Sequence, residues 1–390
     1  MITQGRWGHS SVACRILTAW NYAHLVSHRL ARHPGTDAAP RRRACDDGRT
    51  LVADAHTDLL LELHYREHRL GESGVFAATW LPLLEAGGVR LQVCPVYVDV
   101  SVQPEGALRE ALAQVASFHR AVAENADRVV QVRTPADLDA VEAGERIGLM
   151  LSLEGVEQFG VETWPADVFQ VMGMRMAGLT WNRRNAFADG AAEEGGGLSR
   201  LGRDLVDRLV GLGVVLDLAH ASRGTYAEVL ERVAGAPVIC SHGGCRAVHD
   251  TPRNLDDAQL RALGEAGGLF GLMLHPLAIG PERRTVDRAV DHLEHAVSLV
   301  GVEAVCIGGD FTRRLWEAMP APPEPKDGLA PPGLQPGMGL EGLTGPEHYP
   351  VLVDALRARG WSDADAAAVM GGNLVRFLRR ALPAGEPQGV

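Results

Sequence analysis

The most constraining feature of this sequence is a set of five short apolar runs, each followed at once by a residue that can ligate a metal ion. Continuous apolar runs of this length are typical of strands buried in a parallel sheet. One such run would mean little. Five of them indicate a (β/α)8 barrel, which builds its active site from side chains at the carboxyl ends of its strands. The runs lead into His56-x-Asp58, Glu154, His220, His242 and Asp310.

From Leu51 onward, apolar runs of strand length alternate with amphipathic stretches of helical length. This alternation predicts an α/β fold in which a parallel sheet closes into a TIM-type (β/α)8 barrel, with metal-dependent hydrolase architecture. The alternative is an open doubly wound sheet. That fold needs a Gly-rich phosphate turn after its first strand, and Asp54-Ala55-His56-Thr57-Asp58 is not one. The eight predicted strands are residues 52–56, 89–96, 147–153, 177–181, 214–220, 237–242, 269–274 and 305–310.

The ends of the chain differ from this pattern. Residues 1–48 are rich in Arg and His, lack sustained periodicity, and are predicted to form an N-terminal extension that is partly disordered. Residues 49–390 are predicted to form the catalytic domain. Within it, residues 316–345 are rich in Pro and Gly, and a loop of that length is either a functional lid or mobile. Two further helices are predicted after it.

Composition excludes several classes of protein. The formal net charge of −11 gives no basic footprint, so we expect no nucleic-acid partner. No apolar stretch reaches 18 residues, so we expect no membrane span. The six cysteines are scattered without a C-x-x-C motif, which argues against a zinc knuckle and against a disulfide framework. A cytoplasmic location is therefore expected.

The spacing of the ligand-type residues suggests two metal sites. His56 and Asp58 are two residues apart, so on a strand they point the same way and can bind one ion. His220 and His242 end neighbouring strands and can bind a second. Glu154 ends a strand between the two pairs, and its two oxygens can bridge both ions. Mixed nitrogen and oxygen ligands suit Zn²⁺. We therefore predict two zinc ions per chain that activate a shared hydroxide for hydrolysis.

The near absence of lysine supports a carboxylate bridge. Many two-metal barrel hydrolases are bridged by a carboxylated lysine, but Lys326 is the sole lysine here and lies in the Pro-rich segment. Taken singly, each candidate ligand also has a structural explanation, as a hydrogen-bonded pair, a packed core histidine or a helix cap. Seven other histidines lack the strand-end placement and are predicted to be surface or packing residues: His64, His68, His249, His275, His292, His295 and His348.

As a set, these motifs resemble the membrane (renal) dipeptidases and their bacterial relatives. The resemblance covers about residues 50–382. Each motif is short, but their order and spacing match together. The motifs are Asp54-Ala55-His56-Thr57-Asp58, Ser152-Leu153-Glu154-Gly155, Leu179-Thr180-Trp181-Asn182 through Ala188-Asp189-Gly190, Asp217-Leu218-Ala219-His220-Ala221-Ser222, Ser241-His242, Arg253-Asn254-Leu255-Asp256-Asp257, Ile307-Gly308-Gly309-Asp310-Phe311 and Gly371-Gly372-Asn373-Leu374.

The resemblance implies a barrel with a dinuclear zinc site that hydrolyses dipeptides, and it allows a homodimer. Carried over to this chain, it has His56 and Asp58 hold the first zinc, Glu154 bridge, and His220 and His242 hold the second. Arg253 corresponds to the arginine that binds the free carboxylate of the substrate, a role that suits a guanidinium fork. Asp310 corresponds to the aspartate that takes a proton from the bridging water and delivers it to the leaving amine.

One position departs from the family pattern. Better-known members carry a histidine after Leu-Thr, near the substrate carbonyl, where this chain has Trp181. Tryptophan has one N–H donor, cannot titrate and is bulky. The oxyanion contact of that histidine therefore needs a substitute, for which Asn182 or a metal ion is the candidate.

The sequence is thus interpreted as a cytoplasmic dizinc dipeptidase whose catalytic residues are Glu154 and Asp310. Arg253, Trp181 and Asn182 are predicted to contact the substrate. Two alternatives stay open at this point. One is another metal-dependent barrel hydrolase, such as a cyclic amidase or deaminase, against which His-x-Asp in place of His-x-His argues. The other is a non-catalytic binding relative.

Overall fold

The computed structural model describes residues 50–193, 195–233, 235–319, 329–330, 334 and 337–385. Within these residues nine strands form one sheet, and neighbouring strands pair in parallel. The strands are Val52–Asp54 (β1), Val89–Tyr97 (β2), Val129–Gln131 (β3), Ile147–Glu154 (β4), Met174–Gly178 (β5), Val215–Asp217 (β6), Val238–Gly243 (β7), Leu269–Met273 (β8) and Val305–Gly308 (β9).

Eight of these strands close into a barrel. Strand β1 pairs with both β2 and β9, and β2 also pairs with β4, so the sheet has no free edge along β2-β1-β9-β8-β7-β6-β5-β4. Strand β3 lies outside this ring and pairs only with the first residues of β4 among the described strands. The predicted (β/α)8 barrel is therefore confirmed, with one additional short strand that the sequence analysis missed.

Fourteen α-helices occur in the described residues, and most of them follow a strand and lie outside the sheet, as the barrel requires. They are Leu59–His64 (α1), Leu81–Ala86 (α2), Ala107–Glu124 (α3), Asp137–Glu142 (α4), Pro165–Val171 (α5), Arg200–Gly211 (α6), Arg223–Val233 (α7), Asp257–Glu265 (α8), Pro276–Ile279 (α9), Val286–Val300 (α10), Arg313–Ala318 (α11), Tyr349–Ala358 (α12), Asp363–Ala367 (α13) and Asn373–Ala381 (α14). Short π-helical segments extend α1 (Tyr65–Arg69), precede α2 (Phe76–Trp80) and join α13 to α14 (Ala368–Gly372).

A packed apolar cluster fills the barrel. It contains at least one buried side chain from every one of the eight strands, and such residues can meet only inside the ring. Phe377 and Leu378 of α14 pack into the same cluster and cover one end of it. A larger cluster lies between the sheet and the surrounding helices. The site must therefore lie at the other end of the barrel, where the strands finish.

Several predicted boundaries are wrong in detail. The predicted strand 214–220 ends at Asp217, and the predicted strand 305–310 ends at Gly308, so His220 and Asp310 stand in loops just beyond their strands. The predicted strand 177–181 is shifted and spans Met174–Gly178. The predicted long loop 316–345 begins inside α11, which carries Trp316. Residues 1–48 and, within that loop, residues 320–328 (including Lys326), 331–333 and 335–336 lie outside the described residues.

Candidate metal centre

The buried carboxylate of Asp54 joins the end of β1 to the end of β9 through hydrogen bonds. Asp54, in β1, accepts hydrogen bonds from the backbone N–H of His56 (3.0 Å), from that of Gly309 (2.8 Å) and from the Thr57 hydroxyl (2.8 Å). The backbone N–H of Asp310 in turn donates to the carbonyl of His56 at 2.8 Å. These bonds fix His56 and Asp310 as neighbours, although they are far apart in the chain.

Two candidate residues have a strained backbone. His220 (φ 63°) and Asp310 (φ 51°) are in the left-handed region, which non-glycine residues seldom occupy. Strain of this kind persists where the surroundings hold it, and it concentrates at functional sites. In both cases it occurs directly after a strand, where it turns the side chain toward the barrel mouth.

Glu154 lies between the histidines that the sequence analysis placed in separate pairs. Its Oε1 is 2.8 Å from Nε2 of His220 and 3.6 Å from Nε2 of His242. Its Oε2 is 3.6 Å from Nε2 of His56. Asp58 Oδ1 lies a further 3.9 Å from that same His56 nitrogen. Each oxygen of the carboxylate thus faces a different side of the cluster.

Hydrogen bonds behind the imidazoles determine which ring nitrogens face the centre. Nδ1 of His220 is 2.6 Å from Oδ1 of Asn182, an acceptor, so Nδ1 carries the hydrogen. Nδ1 of His242 is 2.8 Å from the Ser241 hydroxyl, which donates its own hydrogen to Asp217 at 2.5 Å and therefore accepts from the ring. Nε2 of both rings is then left with a lone pair, as a metal ligand requires.

Among the described residues, these lone pairs face the Glu154 carboxylate and one another. The two Nε2 atoms lie only 2.8 Å apart, so two unprotonated nitrogens face each other. Nε2 of His56 and Oδ1 of Asp58 are buried without a hydrogen-bond partner among the described residues. Ligand atoms within 4.8 Å of one another form two groups, one of His56, Glu154 and His242 and one of His56, Asp58 and Asp310. The donor set fits bound cations.

The pKa values of the clustered residues also indicate that the site fits bound cations. Burial raises the pKa of Glu154 to about 8, although the Arg253 guanidinium opposes the shift. Burial also raises the pKa of Asp310 to about 6, and burial together with Glu154 raises that of Asp58. Burial lowers the pKa of both His220 and His242. Neutral imidazoles beside three buried carboxylates need positive charge, which a divalent cation would supply.

A cavity of about 410 Å³ opens above the cluster. Of the predicted site residues, Asp58, Glu154, His220 and Asp310 line it, together with Trp181 and Asn182. The Trp181 ring lies between Tyr97 (5.5 Å between ring centroids) and His220 (5.9 Å). The structure therefore brings all predicted ligands, and both residues of the Trp-Asn pair, to one place.

Arg253 has a different position. It is buried, and its Nη2 donates to the carbonyl of His242 at 2.8 Å, but it is not among the residues that line the cavity. Its Nε has no hydrogen-bond partner among the described residues. The guanidinium thus contacts the metal cluster from behind and keeps one unused donor.

Sequence reasoning missed several residues of this site. Asp54, Asp217 and Ser241 orient the predicted ligands, and their position beside a ligand in short motifs was the available signal. Tyr97 pairs with Glu154 in the β2–β4 register and lines the cavity. His64 and His275 also line the cavity, and their interpretation as surface or packing residues stays a prediction. His292 is buried packing, as predicted.

The sequence profile of the family described as membrane dipeptidase (peptidase family M19) matches residues 47–318. The chain belongs to the membrane dipeptidase family. The match covers most of the barrel and includes every residue of the cluster described above. The membrane dipeptidase assignment makes the chain a metallodipeptidase, a hydrolase of dipeptides, and confirms that part of the sequence interpretation.

Individual membrane dipeptidase relatives agree with this. "Dipeptidase verJ" of Clonostachys rogersoniana is 29% identical over 330 residues, which are 84% of this chain and 76% of that protein. "Dipeptidase aclJ" of Aspergillus oryzae is 27% identical over 351 residues, 85% and 78% respectively. A solved metallopeptidase, dipeptidase AC, shares 24% identity with a TM-score of 0.74 and covers 86% of this chain and 100% of its own.

A further solved metallopeptidase, from Rhodobacter sphaeroides, carries a phosphinate mimic of the dipeptide L-Ala-D-Ala. It superposes on 85% of this chain and 99% of its own, with 23% identity and a TM-score of 0.71. Both structural likenesses support the barrel fold. No helix in the described part of this chain is long and apolar enough to cross a bilayer.

Proposed function

We propose that this chain is a dizinc dipeptidase in which Glu154 bridges two metal ions. His56 and Asp58 would complete one site, and His220 and His242 the other. The observation that carries the proposal is the division of the Glu154 carboxylate, with Oε1 facing His220 and His242 and Oε2 facing His56. A carboxylate placed in this way can give one oxygen to each of two cations.

The bound ions would lower the pKa of the attacking water and polarise the scissile carbonyl. The protein supplies the remaining steps. Asp310 lines the cavity beside the cluster, with a carboxylate oxygen within 4.8 Å of ligand atoms of His56 and Asp58, where a carboxylate can exchange a proton with a nearby water. In the proposal its carboxylate accepts a proton from the attacking water and passes that proton to the leaving amine.

Arg253 would bind the substrate, and Asn182 would orient a metal ligand. Arg253 lies behind His242 and does not line the cavity, but its unused Nε donor and positive charge support its predicted role in binding the terminal carboxylate of the substrate. Asn182 lines the cavity, but its Oδ1 also accepts from His220, so it would act mainly by orienting that imidazole. Trp181 would form a wall of the site in place of the family histidine.

We propose further that dipeptides alone are accepted, because both ends must be held at once. The metal centre would bind the free amine and Arg253 the free carboxylate. The dipeptide mimic in the Rhodobacter sphaeroides protein supports a substrate of this size for the shared fold. A homodimer and a cytoplasmic location stay predictions from the sequence, and the assignment of substrate depends on neither.

The test combines zinc content with substrate length. Protein stripped with a chelator and reloaded is expected to hold two zinc ions per chain and to hydrolyse Ala-Ala, and to leave Ala-Ala-Ala largely intact. Glu154→Gln keeps the shape of the side chain but removes its charge, so we expect loss of zinc and a fall in kcat/KM of at least about 10³-fold. Glu145→Gln, at an exposed site, is the matched control and should change neither quantity.

Three results would contradict the proposal. One is full zinc occupancy in the Glu154→Gln variant. Another is hydrolysis of Ala-Ala-Ala as fast as Ala-Ala. The third is turnover of a cyclic amide but not of any dipeptide, which would favour the cyclic amidase alternative.

A further inference from the structure

The cavity above the metal centre extends far to one side. Beyond Asp58, Glu154 and Asp310 it continues over the ends of β9, β1 and β2, and its outer walls come from the segments that follow those three strands. The whole cavity, including the space over the metal centre, has a volume of about 410 Å³, within the range of about 300–1,000 Å³ for pockets that enclose a small ligand. We call this extension the side chamber.

The walls of the side chamber are mainly apolar and aromatic. They include Tyr65 from the π-helical extension of α1, Val102 after β2, and Leu315, Trp316 and Met319 from α11 and its end. Walls of this composition bind apolar groups by removing them from water, and each added methylene in such a pocket changes kcat/KM by about 10-fold or more.

Three polar groups at the rim of the side chamber are paired with one another. His64 Nε2 lies 2.6 Å from Oε1 of Glu110, and the guanidinium of Arg69 lies 3.9 Å from the same oxygen. Asp99, a further carboxylate of the lining, accepts from the backbone N–H of Ser101 at 2.8 Å. The rest of the chamber wall is mainly apolar.

The chamber walls are held in place by an ion-pair cluster. The buried Glu62 of α1 contacts Nε of Arg66 at 2.7 Å and Nε of Arg314 at 3.4 Å, and Arg314 belongs to α11. This joins α11 to α1. On the other side, a Cβ at Gly337 would approach Cβ and Cδ1 of Trp316 to 3.1 Å, so the returning chain packs directly on that residue. Trp316 is therefore fixed between two segments.

The direction of the side chamber indicates which substrate residue enters it. Around the ring of eight strands, β2 is opposite β7, and Arg253 contacts the carbonyl of His242 in β7. A substrate whose carboxylate lies toward Arg253, with its scissile carbonyl at the metal centre, directs its amino-terminal residue toward β1 and β2. Trp181 and Tyr97 line the passage from the metal centre to this side.

Resting on the proposed function above, we propose that the side chamber is a specificity pocket for a large apolar or aromatic side chain on the amino-terminal residue of the dipeptide. Trp316 is its principal wall and Trp181 stands at its entrance. The preferred substrates are then dipeptides such as Phe-Ala or Leu-Ala rather than Ala-Ala, and a large side chain on the carboxyl-terminal residue gives no comparable gain.

The experiment compares Ala-Ala, Phe-Ala and Ala-Phe on the zinc-loaded full chain. We expect kcat/KM for Phe-Ala to exceed that for Ala-Ala by about 10-fold or more. In Trp316→Ala the ratio of the two values should fall about 10-fold, and Trp316→Phe should restore most of it. Met319→Ala provides a second wall variant if Trp316→Ala folds poorly, and zinc content verifies the folded site in each case.

Trp164→Ala is the matched control, because Trp164, just before α5, is 54% exposed and does not line the cavity. It should leave all three values unchanged. If Ala-Ala is hydrolysed but Phe-Ala is no better, the side-chamber proposal fails while the proposed function stands. If the Trp316 variants alter the selectivity for Ala-Phe instead, the orientation is reversed and the proposal is overturned. If no dipeptide is hydrolysed, the proposed function itself fails.

Discussion

At the scale of single residues, the metal centre depends on where each imidazole carries its hydrogen. Asp217 accepts from the Ser241 hydroxyl and from two backbone N–H groups, those of Ser241 (2.9 Å) and Ala219 (3.0 Å). Because the hydroxyl donates to Asp217, it must accept from Nδ1 of His242. One carboxylate that contacts no metal ligand side chain directly thus decides that Nε2 of His242 is free to bind a cation.

Asp217→Asn is predicted to reverse this chain of hydrogen bonds. The asparagine amide can donate to the Ser241 hydroxyl, which then donates to Nδ1 of His242 and leaves the hydrogen on Nε2. We expect zinc affinity at the site of His220 and His242 to fall about 10- to 100-fold. Competition with a coloured chelator would measure the change.

The control for this prediction is Asp167→Asn, which removes a carboxylate that pairs with Arg208 near the surface. It should leave zinc affinity unchanged. A zinc affinity of Asp217→Asn equal to that of the unaltered protein would show that the tautomer is fixed by something other than Asp217.

The candidate ligands were predictable because their signal is local. His56, Glu154 and His242 each follow or end an apolar run, and the barrel brings all such ends together. The role of Asn182 was not predictable in the same way, since its contact with His220 joins loops that are 38 residues apart in the chain. His64 was missed for a similar reason, because its helix faces the cavity only once the barrel is closed.

At the scale of elements, β7 is packed unusually closely by its neighbours. A Cβ at Gly271 of β8 would lie 2.0 Å from the Ser241 carbonyl oxygen, and one at Gly308 of β9 would lie 2.1 Å from the same atom. Two glycines therefore allow the backbone of Ser241 to approach, and Ser241 orients His242. The close packing of β7, β8 and β9 therefore also helps to fix the orientation of His242.

Gly271→Ala is predicted to displace Ser241, because backbone atoms cannot yield to a contact of that length. We expect a loss of about 1–3 kcal/mol in the free energy of unfolding, together with weaker zinc binding. Denaturant unfolding and chelator competition would measure the two effects on the same samples.

Gly211→Ala is the control, since Gly211 ends α6 and a Cβ there would have no atom within 4 Å. That change should stabilise the protein slightly, by less than about 1 kcal/mol. If Gly271→Ala has the same small effect, the approach of β8 to β7 is not a constraint on the site.

The strands were predicted well where they are long and less well where they are short. The predicted run 147–153 differs by one residue from β4 (Ile147–Glu154), because eight consecutive buried residues give a clear signal. Strand β6 has only three residues, and the apolar residues Leu218 and Ala219 after it extended the prediction to His220. Strand β3 was missed because three residues carry no readable period.

At the scale of the whole molecule, buried neutral histidines make the fold sensitive to acid. His292 of α10 is fully buried; its Nδ1 accepts from the backbone N–H of Cys245 at 3.0 Å, and its Nε2 faces the carbonyl of Ile279 at 3.3 Å. Burial lowers the pKa of His292 to about 4. A proton on Nδ1 would face the Cys245 N–H, so the folded state resists protonation.

The low pKa of His292 predicts that folding stability is lost at acidic pH. Above pH 6.5 the imidazole is neutral in both states and contributes no pH dependence. As the pH falls from 6.5 toward 4, the unfolded chain binds a proton that the folded chain does not, so stability is lost. The loss from His292 amounts to about 3 kcal/mol at pH 4.

His292→Asn preserves an acceptor for Cys245 but cannot titrate. Measured on metal-free protein by urea unfolding, its stability should decline less between pH 6.5 and 4 than that of the unaltered chain. His119→Asn, at a partly buried position on α3, should keep the original slope. Identical slopes for His292→Asn and the unaltered chain would contradict the assignment.

The hydrogen bond from Asp310 to His56 has a consequence for how the chain is made. This hydrogen bond joins the loop that follows β1 to the loop that follows β9. The candidate ligands beside it come from strand ends between residues 56 and 310. A chain emerging from the ribosome therefore lacks an intact site until more than three hundred residues have been translated. The proposed metal centre is therefore completed only once residue 310 has been made, and a premature stop before that residue yields a product without a complete site.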